Sequence, residues 1–212
     1  VAVIPNGVEL PSKIPSIKSQ NGKKQALFLS RIHPIKGLTN LVDAWAVLNP
    51  KNWILVVAGP NGIGHLREVK DRVNYHNLQD SVQFIGAVQD EDKWSLYSES
   101  DLFILPTFSE NFGVVIAEAL ASRLPVITTK GAPWKELEER NCGWWINIGV
   151  EPLVEALREA TTLPDSVRKE MGKAGRKLIE QKYSWDMVAE NMIEVYEWVL
   201  YDRPAPDCVK FE

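Results

Sequence analysis

Short runs of consecutive apolar residues alternate along this chain with stretches in which apolar positions recur every three or four residues. The runs are Ala26 to Ser30, Trp53 to Gly59, Val82 to Ile85 ended by Gly86, Asp101 to Leu105, Pro125 to Thr128, and Trp144-Trp145-Ile146. Continuous apolar runs of this length read as strands buried on both faces. Between them, Leu38, Leu41, Val42, Trp45 and Leu48 follow the helical period, Leu66, Val69 and Val73 mark a second helix, and Trp94, Leu96 and Tyr97 a short third. Strands separated by helices require parallel pairing with right-handed crossovers. The pattern therefore predicts an α/β fold, a doubly wound parallel sheet with helices on both faces.

The two ends read differently. Val1 to Ile4 is expected to be a strand that stops at the turn Pro5-Asn6-Gly7; a chain that opens inside a strand without methionine implies a further piece upstream. Leu10 to Lys24 is polar and proline-punctuated, a loop. From Val150 the pattern is helical, with one stripe at Leu153, Val154 and Leu157 and another at Val167, Met171, Ala174 and Leu178. The last helix opens with Ser184 as its cap. It carries Trp185, Val188, Met192, Val195, Tyr196 and Val199 at helical spacing, a face expected to pack on the domain, with docking onto a partner domain as the alternative. Asp202 to Glu212 reads as a loose tail. The organisation is thus a leading strand and linker over 1–25, an α/β domain over 26–182, a C-terminal helix over 183–201 and a tail over 202–212.

One stretch breaks the pattern. Ser109 to Ala121 follows an apolar strand and Pro106, and from Phe112 to Ala121 every residue is apolar or glycine except Glu118. A carboxylate on a helix buried nearly all round needs a partner or a ligand. Glu110 stands at the mouth of the same helix, about 12 Å from Glu118 if the segment is helical throughout. A lysine or arginine on a neighbouring element would satisfy Glu118 without any ligand, and the helix dipole alone would favour an acid at position 110. Ligands of doubly wound sheets bind at the carboxyl ends of the strands, where Arg31, Gly59, Gly86 and Glu110 all fall. Arg31 and Lys36 supply cations, the helix beginning near Phe112-Gly113 offers free amides, and Gly113 permits close backbone approach. Such a set suits the departing diphosphate of a sugar nucleotide, whose developing charge needs cations or backbone donors aimed at it.

Composition narrows the classes. The 212 residues are 45% hydrophobic and 25% charged, with a net charge of −4, ordinary for a globular protein and poor for a nucleic-acid partner, which calls for a basic face. The two cysteines, Cys142 and Cys208, fit no metal or redox spacing and read as reduced thiols of a cytoplasmic protein. No apolar run is long enough to cross a bilayer, and no basic-then-apolar leader is present. His33, His65 and His76 read as loop or surface residues, and no acidic pair or histidine cluster offers metal ligands.

The set Ser30-Arg31 with Lys36-Gly37, then Phe84-Ile85-Gly86-Ala87-Val88, Leu105-Pro106, Glu110-Asn111-Phe112-Gly113 with Glu118-Ala119, and Leu124-Pro125-Val126-Ile127 resembles the family 4 glycosyltransferases of the GT-B fold. Val3 to Val8 resembles the strand that crosses between the family's two Rossmann-like domains. The resemblance spans nearly the whole chain in order. It implies the C-terminal, donor-binding domain of a retaining enzyme that moves a hexosyl group from a UDP- or GDP-sugar.

Carried to this chain, the resemblance implies that Arg31 and Lys36 bind the diphosphate and stabilise the leaving group. Glu110 would hold the donor sugar. The amides of Asn111, Phe112, Gly113 and Val114 would hold sugar and phosphates, Glu118 the ribose, and Val88 and the turn after Gly59 the base. Arg31, Lys36 and Glu110 would be the catalytic set. No cofactor and no metal is expected; the partners are the nucleotide-sugar and an amino-terminal acceptor domain, in a full-length enzyme peripheral to the inner face of the membrane and serving surface polysaccharide or lipopolysaccharide synthesis. The chain departs from the family pattern at Gly59-Pro60-Asn61-Gly62, where a more acidic turn is usual, and at Gly131-Ala132, where a glycine pair is usual. A stand-alone nucleotide-sugar binding module and a GT-B epimerase or phosphorylase are the alternatives, the first separable by the upstream sequence, an epimerase by conversion of a nucleotide-sugar without acceptor, and a phosphorylase by its need for phosphate and glucan sites, which the sequence does not show.

Overall fold

The structure, a computed structural model, describes residues 1–11, 22–201 and 203–210. Six strands form one all-parallel sheet: β1 (Lys24–Leu29), β2 (Trp53–Ala58), β3 (Val82–Gly86), β4 (Leu102–Leu105), β5 (Val126–Thr129) and β6 (Gly143–Ile146). Their order in the sheet is β3-β2-β1-β4-β5-β6. β4 and β5 are buried along their whole length, as is the latter part of β1, which is why these strands appear in the sequence as unbroken apolar runs.

The helices are α1 (Leu38–Leu48), α2 (Leu66–Tyr75), α3 (Asp90–Ser98), α4 (Val114–Ala121), α5 (Glu136–Glu139), α6 (Val150–Thr162), α7 (Asp165–Lys182) and α8 (Trp185–Tyr201). α1 packs against α2 and α6, and α4 against α7. Leu38, Leu41, Val42 and Trp45 of α1 and Leu153, Val154 and Leu157 of α6 are buried, as their periodicity requires.

α7 is turned about one residue from the expected stripe. Its buried residues are Arg168, Gly172, Gly175, Leu178 and Ile179, whereas Val167 is exposed and Met171 and Ala174 only half-buried. Two glycines bring the helix close to what lies beneath it: a Cβ at Gly172 would lie 1.9 Å from the carbonyl oxygen of Arg123, and one at Gly175 2.7 Å from the Leu120 side chain. The Arg168 guanidinium, buried under the helix, donates to the carbonyls of Ala160 and Leu163 and to Asp165, and stacks 5.2 Å over the ring of Trp53.

The ends also differ from expectation. Val1 to Ile4 forms no regular strand; Ala2 makes a single antiparallel bridge with Val209. The amide of Val3 donates to Cys208 O and that of Lys210 to Val1 O, each at 2.8 Å. The segment 203–210 is therefore a paired element rather than a loose tail, because each end supplies the backbone partners that the other lacks. Residues 12–21 of the expected loop lie outside the described residues, and Lys24 belongs to β1.

Ser184 caps α8 as expected, its Oγ accepting from the amide of Met187 at 3.3 Å, and a parallel bridge joins Val8 to Ser184. The expected packing of α8 on the domain is met only in part: it contacts α7. Val188 is its one buried residue, while Trp185, Ile193, Tyr196, Val199, Leu200 and Tyr201 are exposed. The bond from the amide of Val8 to Tyr183 O ties the start of the helix to the domain.

Candidate functional site

Between β1 and β4 the strand order reverses, so successive connections leave toward opposite faces and open a crevice at the carboxyl ends of these strands. The chain leaving β1 passes Arg31 and enters a 3₁₀ turn, Pro34–Lys36. His33 Nδ1 accepts from the amide of Ile35 at 3.2 Å, and Gly37, at φ +68°, closes the turn by donating to Pro34 O. Position 37 has to be glycine, because a Cβ there would sit 2.0 Å from Pro106 O. The turn is thereby pressed against the exit of β4. Ile35 O accepts from the amide of Phe108 at 2.7 Å and from Thr107 Oγ1 at 3.0 Å.

These bonds aim Lys36 and Glu110 at each other. The amide of Glu110 donates to Gly131 O at 2.8 Å, which fixes its backbone to the loop after β5. Its carboxylate pairs with the ammonium of Lys36, and both side chains are largely buried. Glu110 is not part of α4. The helix begins at Val114, with Gly113 at φ +81° as its cap, so the helical spacing expected between the two glutamates does not hold. Gly113 interrupts it with a left-handed residue that only glycine adopts freely.

Among the described residues the amides of residues 111 to 115 donate to no acceptor. They form an unused set of donors at the positive end of the helix dipole. Asn111 and Val114 are exposed there, and Gly113 is buried. Phe112 is half-buried against Trp134 and Tyr183, with ring centroids 5.3 and 5.6 Å away. Trp134 Nε1 donates to Phe112 O, an anchor that the apolar pattern did not reveal.

Glu118 is 8% exposed. Its Oε1 lies 2.9 Å from the Lys93 ammonium, and its Oε2 accepts from the hydroxyl of Tyr97 at 2.9 Å. The carboxylate thus has protein partners on α3. Burial pulls the pKa of Lys93 down, but Glu118 and Asp90 outweigh it and leave it above the ordinary lysine range. Burial pushes the Tyr97 phenol well above its ordinary range, and the adjacent Glu118 charge adds to this. Lys93 and Tyr97 were not identified from the sequence. The acidic run Asp90-Glu91-Asp92 before Lys93 looks like a solvated face, and Tyr97 looks like core.

Arg31 is exposed, and among the described residues its side chain has no hydrogen-bond or ion-pair partner. Gly59 is buried at φ +134°, donates to Gly86 O at 2.7 Å, and faces Ser30 O so closely that a Cβ would be 1.9 Å away. It holds the ends of β1, β2 and β3 together. Val88 is half-buried against the core just beyond β3. His65, expected at the surface, is buried at the start of α2, with Nδ1 3.0 Å from Glu68 and Nε2 unpartnered among the described residues. His76 is half-buried and bonds Asp43 at 3.0 Å.

The sheet order and the crevice at its switch point define an α/β domain of the GT-B glycosyltransferase type, the fold of its solved neighbours. The chain belongs to the glycosyl transferases group 1 family, whose model matches residues 11–178. Spore coat protein SA of Bacillus subtilis is 32% identical over 187 residues, which cover 84% of this chain and 49% of that protein. HepE of Anabaena, solved with UDP and glucose, superposes with a TM-score of 0.78 at 20% identity, over 92% of this chain and 56% of that one. The C-terminal domain of a glycosyl transferase group 1 family protein from Francisella tularensis superposes with a TM-score of 0.68 at 24% identity, over 77% of this chain and 87% of that one. The chain spans about half the length of the curated relatives it matches.

Proposed function

We propose that this chain is the donor-binding half of a retaining glycosyltransferase that takes a hexosyl group from a UDP- or GDP-sugar. The observation that carries the reading is the placement of a lysine–glutamate pair and a buried glutamate on either side of unused helix amides, at the switch point of the sheet. Lys36 and Arg31 bind the diphosphate, and their charge stabilises the leaving group as its bond to the sugar breaks. The amides of Asn111, Phe112, Gly113 and Val114 hold phosphate and sugar oxygens, Glu110 accepts from the sugar hydroxyls, and Glu118 accepts from the ribose. Val88 and the turn following Gly59 flank the base. The UDP and glucose bound by the Anabaena protein are consistent with this donor class. The donor needs no metal, since lysine, arginine and amides supply the positive charge.

The acceptor is bound by an amino-terminal domain of the longer protein, on which α8 docks through Trp185, Ile193, Tyr196 and Val199. The exposure of that face supports this arrangement. The enzyme works in the cytoplasm at the membrane surface, in surface polysaccharide or lipopolysaccharide synthesis. Calorimetric titration of the chain with UDP, GDP and ADP and their glucose esters tests the donor reading. One nucleoside diphosphate should bind, Glu118→Ala should weaken it, and Glu110→Ala should remove mainly the extra affinity due to the sugar. Binding of none of them would overturn the reading.

A further inference from the structure

The two oxygens of Glu118 are held in unlike ways. Oε2 accepts from Tyr97, a wholly buried side chain whose hydroxyl has, among the described residues, one other acceptor within reach, Val115 O at 3.3 Å. Oε1 faces Lys93, whose side chain is about one-fifth exposed and whose ammonium also lies 3.4 Å from Asp90 Oδ1. Asp90 is almost entirely in water. The ring of Trp94, its centroid 5.2 Å from the same ammonium, adds a third favourable contact. Tyr97 is therefore fixed, whereas Lys93 stands between one buried and one exposed carboxylate.

An empty site with Glu118 alone would bury an uncompensated charge, a strongly destabilising arrangement. A vicinal diol can replace a cation there, because its hydroxyls donate to a carboxylate, but only where the carboxylate oxygen is free. We infer that Lys93 is a place-holder for the ribose diol: it neutralises Oε1 of Glu118 in the empty site and moves to Asp90 when the diol arrives. The inference rests on the assignment of Glu118 to the ribose. Lys93 then keeps a carboxylate partner in both states, and Glu118 is never left bare. The exchange also discriminates between ligands. A nucleotide without the diol leaves Lys93 in place and gains nothing from Glu118.

The apparent affinity for a ribonucleotide is reduced by the fraction of time for which Lys93 leaves Oε1 free. Removing the competing ammonium should restore it. The test is calorimetry on the 212-residue chain and its Lys93→Met and Lys93→Gln variants, with whichever of UDP, GDP and ADP binds best and with its 2′,3′-dideoxy analogue. Lys93→Met is expected to tighten the ribonucleotide about three- to tenfold and to leave the dideoxy analogue unchanged. Lys93→Gln, whose amide still donates to Oε1, is expected to give a smaller gain in the same direction, and it decides alone if the methionine variant does not fold. Weaker or unchanged ribonucleotide binding in the variants, or an equal gain for the dideoxy analogue, would overturn the exchange. Failure of the unsubstituted chain to bind any of the three nucleotides would instead overturn the donor reading itself.

Discussion

The hydroxyl of Tyr97 donates to Oε2 of Glu118 across 2.9 Å, joining the one charged position of α4 to a side chain of α3 with no exposed surface. This hydroxyl, with the Lys93 ammonium on Oε1, sets the direction of the carboxylate. Tyr97→Phe leaves the ring in place and deprives a buried acceptor of its donor, a change that costs about 1–3 kcal/mol. Urea denaturation should show a lower midpoint with an unchanged slope. Nucleoside diphosphate affinity should fall as well, because the carboxylate is no longer held. An unchanged midpoint would show that Glu118 is satisfied without the phenol.

Lys36 and Glu110 give a way to separate folding from binding. Lys36→Met leaves a largely buried carboxylate without its counter-charge and should cost on the order of 3 kcal/mol. The double variant Lys36→Met/Glu110→Gln removes both charges and should recover most of that loss. Diphosphate affinity should stay more than tenfold down in both variants. Recovery of binding together with stability would show that the pair is structural.

Much of this architecture is legible in the sequence, and the exceptions share a cause. The six strand runs and the order of Lys36, Glu110 and Glu118 follow from local pattern, since a parallel strand buried on both faces leaves an unbroken apolar signature; the expected burial fails at the two edge strands, where only Val82 of β3 is buried and β6 is half-buried throughout, because each has a neighbour on one side alone. What sequence reading missed depends on a partner far along the chain. The ammonium on Glu118 comes from 25 positions upstream, in a run that looks solvated. The buried face of α7 is set by glycines, Gly172 against the Arg123 backbone and Gly175 against the Leu120 side chain, which no hydrophobic period records. The pairing of Ala2 with Val209 joins the two ends of the chain. α8 is packed less than its pattern implies for the opposite reason, because an amphipathic period says that a face is apolar and not how much of it this chain covers.

Alkaline pH should destabilise the fold in a defined window. Burial pushes the Cys142 thiol up from 9.0 to about 12, and burial raises the Tyr97 and Tyr183 phenols above 10.0, with Glu118 and Glu136 respectively beside them. These groups stay protonated in the native state while the unfolded chain ionises, so the unfolded state binds fewer protons and stability falls as pH rises. Their contribution is complete below pH 9 and is lost above it. Each group adds a slope of up to about 1.4 kcal/mol per pH unit. Denaturation midpoints measured from pH 8 to 11 should decline from about pH 9, and Cys142→Ala should flatten the first part of that decline.

The outer face of α8 predicts a separation between this chain and the longer protein. Tyr196→Glu and Val199→Glu alter side chains that are 58% and 67% exposed, so each should change the stability of this chain by no more than about 0.5 kcal/mol. If α8 docks on an amino-terminal domain, the same changes should impair transferase activity in the longer protein. Equal activity of those variants would remove the docking assignment.

Gly172→Ala sets local propensity against packing. Within an exposed helix the change should stabilise by about 1 kcal/mol, since alanine is the better helix former. In α7 the added Cβ would fall 1.9 Å from the carbonyl oxygen of Arg123 and 2.7 Å from its carbon. Both are backbone atoms, with no flexible side chain to swing aside. Arg123 itself sits at φ +63°, so its segment is already in a conformation that tolerates little adjustment. Relief requires moving α7 away from α4, which opens the contact around Gly175 and Leu120. The sign should therefore reverse, with a loss of about 1–3 kcal/mol, as in other overpacked interiors. A thermal scan that found the alanine variant more stable would place α7 farther from the Arg123 backbone than this structure has it.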